Sequence, residues 1–91
     1  MIIPLLEKAI ASRAPLMDSK HESAFRLFNG FTEGFPDLIV DIYAATAVIH
    51  DYADNLEQGA LIVQEAQQFL VTSLPWLRAG IVKTRNGATA E

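Results

Sequence analysis

No cysteine occurs in the 91 residues, which excludes disulfides, thiolate metal sites and a cysteine nucleophile within this chain. Long apolar runs are missing too, since nothing approaches the roughly 20 residues that a membrane-spanning helix requires. The opening Met1-Ile2-Ile3-Pro4-Leu5-Leu6 is interrupted by Glu7 and Lys8 and has no basic leader before it, so it does not read as a signal peptide. A cytoplasmic protein with no membrane partner is therefore expected. Basic charge is scarce. Seven Lys and Arg face eleven Asp and Glu, giving a net charge of −4. A free-standing nucleic-acid binder usually carries a basic excess, because phosphate neutralisation drives its affinity. Catalytic groupings are absent as well: Ser19, Ser23 and Ser73 have no histidine and acid that converge in sequence. Gly30-x-x-x-Gly34 is neither a dinucleotide fingerprint nor a phosphate loop, so both glycines read as structural turn residues.

What is present is the pattern of one small globular domain. A chain of this length buries only about 60–65% of the surface its unfolded form exposes, so little stability is held in reserve. Ile3, Leu6, Ala9 and Ile10 recur at helical spacing over residues 2–14, with Pro4 in the first turn and Pro15 at the stop. A polar connector, 16–23, leads to a strand at 24–29, a turn-rich loop at 30–37 and a strand at 38–43. A third strand, 46–52, follows a very short reversal at Ala44-Ala45, where glycine or asparagine would be usual. From Leu56 the residues Ala60, Val63, Ala66, Phe69, Leu70 and Leu74 share one helical face, with Asp54 or Asn55 as cap and Pro75 as terminator. A last strand spans 79–85, and Asn86-Gly87 reads as a turn.

The expected fold is α+β: a small antiparallel or mixed sheet of about four strands with one packed helix, in the order helix, three strands, helix, strand. Whether the fourth strand pairs in parallel or adds elsewhere is left open by periodicity. Residues 1–19 form the N-terminal helix and connector, 20–87 the α+β domain, and 88–91 the start of a linker.

Among polar residues, Asp41 lies inside an apolar strand and needs a partner, and Arg26 on the neighbouring strand is the natural one. His50-Asp51-x-x-Asp54 looks like a metal or acid–base set, but alternation sends His50 and Asp51 to opposite faces, and Asp54 has a competing role as a cap. His21 reads as a satisfied or surface group. Lys83 and Arg85 share a face of the last strand with Arg78 nearby. They suit first a charged edge strand and second a phosphate contact.

The segment from Arg26 to Tyr43 resembles Arg-x-x-Asn-Gly-Glu-x-Asp-Gly-x-Pro-Gly-Leu-x-Val-Asp-x-Tyr, which precedes the catalytic domain in a family of S-adenosylmethionine-dependent 23S rRNA methyltransferases. Arg26, Asn29, Gly30, Gly34, Pro36, Leu38, Val40, Asp41 and Tyr43 carry the match, and Ala11-x-Arg13-Ala14-Pro15-Leu16 is similar to what lies upstream. Phe31 stands where the family has Glu, Glu33 where it has Asp, and Asp37 where it usually has Gly. Ile42 replaces a common Arg, and Ala44-Ala45 replace Gly-Asp.

The resemblance implies a non-catalytic N-terminal piece of such an enzyme. It would bind no cofactor itself, with S-adenosylmethionine held by the parent protein. Its partners would be its own C-terminal Rossmann domain and rRNA, contacted through Arg26, Asn29, Lys83 and Arg85. An exposed apolar patch is expected where that neighbour docks, at Leu74, Trp76, Leu77 and the first helix. The alternative is a self-contained interaction module, acting as a homodimer through an edge strand.

Overall fold

A computed structural model describes residues 2–84. Helix α1 (Ile3–Arg13) runs into a 3₁₀ turn at Ala14–Leu16. Strand β1 (Ala24–Asn29), a single helical turn α2 (Gly30–Glu33), β2 (Leu38–Tyr43) and β3 (Thr46–Asp51) follow. Helix α3 (Leu56–Ser73) then leads to β4 (Ala79–Thr84). The chain is α+β, with a mixed sheet in the order β1-β2-β3-β4. The first three strands are antiparallel neighbours, and α3 carries the chain across so that β4 lies parallel to β3 at the far edge.

One face of the sheet is covered by two helices where the sequence led us to expect one. Ile2, Leu6 and Ala9 of the first helical segment join Val63, Ala66 and Leu70 of α3 over Leu27, Phe28, Leu38, Val40, Ile42, Ala47 and Ile49 in a single core. The sheet alternates accordingly: Leu38, Val40 and Ile42 point to the helices while Ile39, Asp41 and Tyr43 point away. Asn55 caps α3, its side chain accepting from the Gln58 N–H at 2.9 Å.

Strand β1 departs from simple alternation. Arg26 pairs with Asp41 and Phe28 with Val40, so Leu27 is the extra residue of a β-bulge, which lets two consecutive side chains, Leu27 and Phe28, enter the core. The loop after it contains α2, which was not expected. Gly34 ends α2 at φ 102°, as a turn glycine should. Gly30 has a different reason, since a Cβ there would fall on the carbonyl oxygens of Phe35 and Leu38. It permits a close backbone approach, not an unusual angle.

Ala44 occupies the β2–β3 reversal at φ 56°, and its N–H donates to the Ser23 carbonyl at 2.9 Å. Left-handed backbone costs an alanine about 1–2 kcal/mol, and glycine gives back about 0.4–1 kcal/mol through the unfolded chain. Ala44→Gly is therefore expected to stabilise the domain by about 0.5–1 kcal/mol. Urea unfolding should show a raised midpoint with an unchanged m-value; a lowered midpoint would rule out strain at this turn.

The expected apolar patch does not form at Leu74, Trp76 and Leu77. Leu74 is 3% exposed and belongs to the core, and Leu77 packs against it. Trp76 is covered by the α1–β1 connector, where His21 stacks on it with ring centroids 4.1 Å apart. Exposed apolar side chains are found instead at Phe31, Leu56, Leu61, Val71, Ile81 and Val82.

Candidate functional site

The sheet face turned away from the helices gathers the polar chemistry. The two-residue reversal fixes the register Tyr43–Thr46, Asp41–Val48 and Ile39–His50, so Asp41 and His50 are diagonal neighbours. On the other side, the β1 pairing places Arg26 directly opposite Asp41. Three side chains from three strands meet as a result. Arg26 Nε donates to Asp41 Oδ1 at 2.7 Å and its Nη2 to Oδ2 at 3.2 Å. His50 Nε2 lies 3.1 Å from the same Oδ2.

The Asp41 side chain is 9% exposed and that of Arg26 49%. Burial alone would push the Asp41 carboxyl up. The Arg26 hydrogen bonds and charge, with a smaller contribution from His50, outweigh it and hold the carboxyl below its ordinary value. The hydrogen bond to Asp41 in turn raises Arg26. This forked, charge-assisted pair fixes the plane of the guanidinium. Its Nη1 has no hydrogen-bond partner among the described residues.

Below this pair, Arg26, Asn29, Phe31, Pro36, Asp37, Ile39 and Tyr52 line an open depression of about 500 Å³. Phe31 is 83% exposed at its rim. The Tyr52 ring lies nearly parallel to that of His50, with centroids 6.2 Å apart and planes 10° apart.

Behind the depression a second ion pair braces the bulge. Arg13, at the end of α1, donates from Nη1 to Glu33 Oε1 at 2.8 Å and from Nη2 to Oε2 at 2.7 Å, while its Nε donates to the Arg26 carbonyl. Glu33 Oε2 also accepts the Asn29 N–H at 2.8 Å. Burial acts to raise Glu33, but Arg13 and the Asn29 amide prevail and hold it below its ordinary value.

Of the residues singled out in the sequence, Arg26 and Asp41 pair as expected, and Asn29 lies beside them at the depression. Lys83 shares their face but sits at the opposite edge, next to His50 in the register. Three strand spacings, roughly 14 Å, separate it from Arg26. Arg78 lies at the other end of β4, about 16 Å along the strand from Lys83, so the two do not cluster. Arg85 and the Asn86-Gly87 turn lie outside the described residues. His50 and Asp51 do point to opposite faces: Asp51 is buried on the helix side, where its Oδ1 accepts the Ala53 N–H at 3.0 Å. Among the described residues no group of three His, Asp or Glu converges to hold a metal ion. No helix among them is long and apolar enough to cross a membrane. The His50–Asp41 contact and the Arg13–Glu33 clamp were not anticipated. The first could have been read from the register of a two-residue hairpin; the second had no local signal.

The architecture that carries this face, a four-stranded mixed sheet with both long helices on one side, recurs in proteins of known structure. The chain is similar to SMU.776, assigned as a methyltransferase and solved in complex with SAH, with a TM-score of 0.76 and 23% identity. It is similar also to a protein from Streptococcus mutans assigned as a SAM-dependent methyltransferase, with a TM-score of 0.76 and 24% identity. These alignments take in 94% and 93% of this chain but 22% of each of those chains, so it spans about a fifth of their length. No family model and no curated protein matches the sequence.

Proposed function

We propose that this chain is a non-catalytic accessory domain of an S-adenosylmethionine-dependent rRNA methyltransferase, working in the cytoplasm by shaping one wall of the RNA cleft and docking on the catalytic domain. The observation that carries the reading is the disproportion of the structural match. Nearly the whole chain superposes on about a fifth of proteins assigned as methyltransferases, one of them bound to SAH. The Arg26–Tyr43 resemblance to an rRNA methyltransferase segment points the same way.

In this reading the cofactor is held by the parent protein's catalytic domain. Gly30 and Gly34 bracket a four-residue helical turn, too short to present a phosphate-binding helix terminus. Methyl transfer on this reading belongs to the partner domain, and this chain contributes position. The surface suited to that partner is the β4 edge. Its side chains from Ala79 to Lys83 are all exposed, and beside it a groove of about 260 Å³ lies between α3 and the sheet, lined by Leu70, Val71, Leu77 and Gly80.

The test begins with the reading frame, which should continue past Glu91 into a strand, a glycine-rich loop and a helix. A stop codon there would contradict the proposal. The isolated chain should bind no S-adenosylmethionine by calorimetry and transfer no methyl group to rRNA, whereas the longer protein should lose activity when these residues are deleted. The same exposed edge favours one second reading, a homodimer formed by β4 pairing. A concentration-dependent, salt-independent dimer in light scattering, together with unimpaired activity after deletion, would select it.

A further inference from the structure

We propose that the depression below the Arg26–Asp41 pair seats one unpaired ribonucleotide, its base stacked on Phe31 and its phosphate held by Arg26. Phe31 motivates the idea. Its phenyl ring is 83% exposed on a one-turn helix and lines the depression. Such a ring on the wall of a concave site is a platform for another flat group, and every base has a π-face to offer it. Tyr52 lines the same depression, its plane matched to that of His50. Two aromatic side chains therefore line the space a base would fill.

Arg26 supplies the charge. Asp41 engages Nε and Nη2 and leaves Nη1 unbonded among the described residues, so the cation is oriented before any ligand arrives and loses little freedom on binding. A phosphate needs such a cation, and among the described residues Arg26 is the only Lys or Arg lining the depression. Asn29 and Asp37 add an amide and a carboxylate. They suit a base edge and a ribose 2′-hydroxyl, whereas a second phosphate would be repelled by Asp37. The volume of about 500 Å³ lies within the range of small-molecule sites. It is far from a groove that tracks a strand, in keeping with the net charge of −4. The choice of a ribonucleotide rests on the methyltransferase reading above; the stacking seat rests on the geometry.

The experiment is a titration of the 91-residue chain, labelled with ¹⁵N, using an eight-nucleotide single-stranded RNA of mixed sequence, the DNA of the same sequence and an RNA duplex. Shift changes should gather at Arg26–Ile39 and Tyr52, with the single-stranded RNA binding most tightly. Phe31→Ala, which removes an exposed ring without opening the core, should weaken that binding about 10–100-fold. Arg26→Gln should reduce the salt slope by about one phosphate. Unchanged affinity in Phe31→Ala, shifts confined to β4, equal binding of the duplex, or no shifts at all would each overturn the seat. So would binding of an unstructured peptide at these residues in place of RNA. A longer protein that methylates rRNA normally with Phe31→Ala, yet fails when residues 2–84 are deleted, would remove this inference and leave the accessory-domain reading standing.

Discussion

Gly30→Ala is expected to destabilise the domain by about 4 kcal/mol. The added methyl group would land on two main-chain carbonyl oxygens, those of Phe35 and Leu38, and a backbone oxygen cannot swing aside as a side-chain tip can. Relief requires moving the 30–38 loop. That loop is tied by the Phe35 N–H to the Gly30 carbonyl at 2.9 Å and by the Leu38 N–H to the Phe35 carbonyl at 3.2 Å. Overpacking alone costs about 1–3 kcal/mol, and each strained or broken hydrogen bond about 1 kcal/mol more. The sum, on the order of 4 kcal/mol, removes about half of the roughly 5–10 kcal/mol that holds a domain of this size together. Gly34→Ala makes the informative comparison. Gly34 sits at φ 102° with only the Leu5 side chain near, so its substitution costs a backbone angle, about 1–2 kcal/mol, and leaves a foldable protein. Thermal melts by circular dichroism should rank wild type above Gly34→Ala and Gly34→Ala well above Gly30→Ala. The reverse order would show that the 30–38 loop yields to the added methyl group at little cost.

The two glycines also show where sequence reasoning stopped. It identified them as structural but gave both the same reason, because close approach depends on a carbonyl five or eight residues away and leaves no composition signature. The α3 helix was legible because eighteen residues of amphipathic period accumulate a signal and Asn55 announces its start. Four residues of α2 accumulate none. The Arg26–Asp41 pair was legible because a lone carboxylate in an apolar strand needs a cation and only one was at hand. The bulge at Leu27 was not, since one extra residue in a strand looks like any other. The patch predicted at Trp76 failed for a tertiary reason: whether a tryptophan is exposed depends on what folds over it, here the connector bearing His21.

The same distance in sequence hid the Glu33 clamp, whose loss should have the second-largest effect. Glu33 accepts two hydrogen bonds from Arg13 and one from the Asn29 N–H, tying α1, β1 and α2 together at the bulge. Glu33→Ala leaves the Arg13 guanidinium and the Asn29 amide without their acceptor. Both Arg13 and Glu33 are only 20% exposed, so water replaces the lost bonds incompletely. A loss of about 2–3 kcal/mol follows, short of the full penalty for stranding a wholly buried charge. Glu33→Gln keeps the shape, loses the charge, and should fall between the two. The clamp also gives the domain a pH dependence of definite sign. Glu33 and Asp41 both titrate below their ordinary values of 4.5 and 3.8 in the folded chain. The unfolded chain therefore binds protons first as the pH drops. Their contribution is complete above about pH 5 and disappears as acid titrates the folded carboxylates. Urea midpoints measured from pH 7 to pH 3 should decline chiefly below pH 4.5, and Glu33→Gln should decline less steeply than wild type. A mutant curve parallel to that of wild type throughout would show that the carboxylate of Glu33 does not carry the clamp.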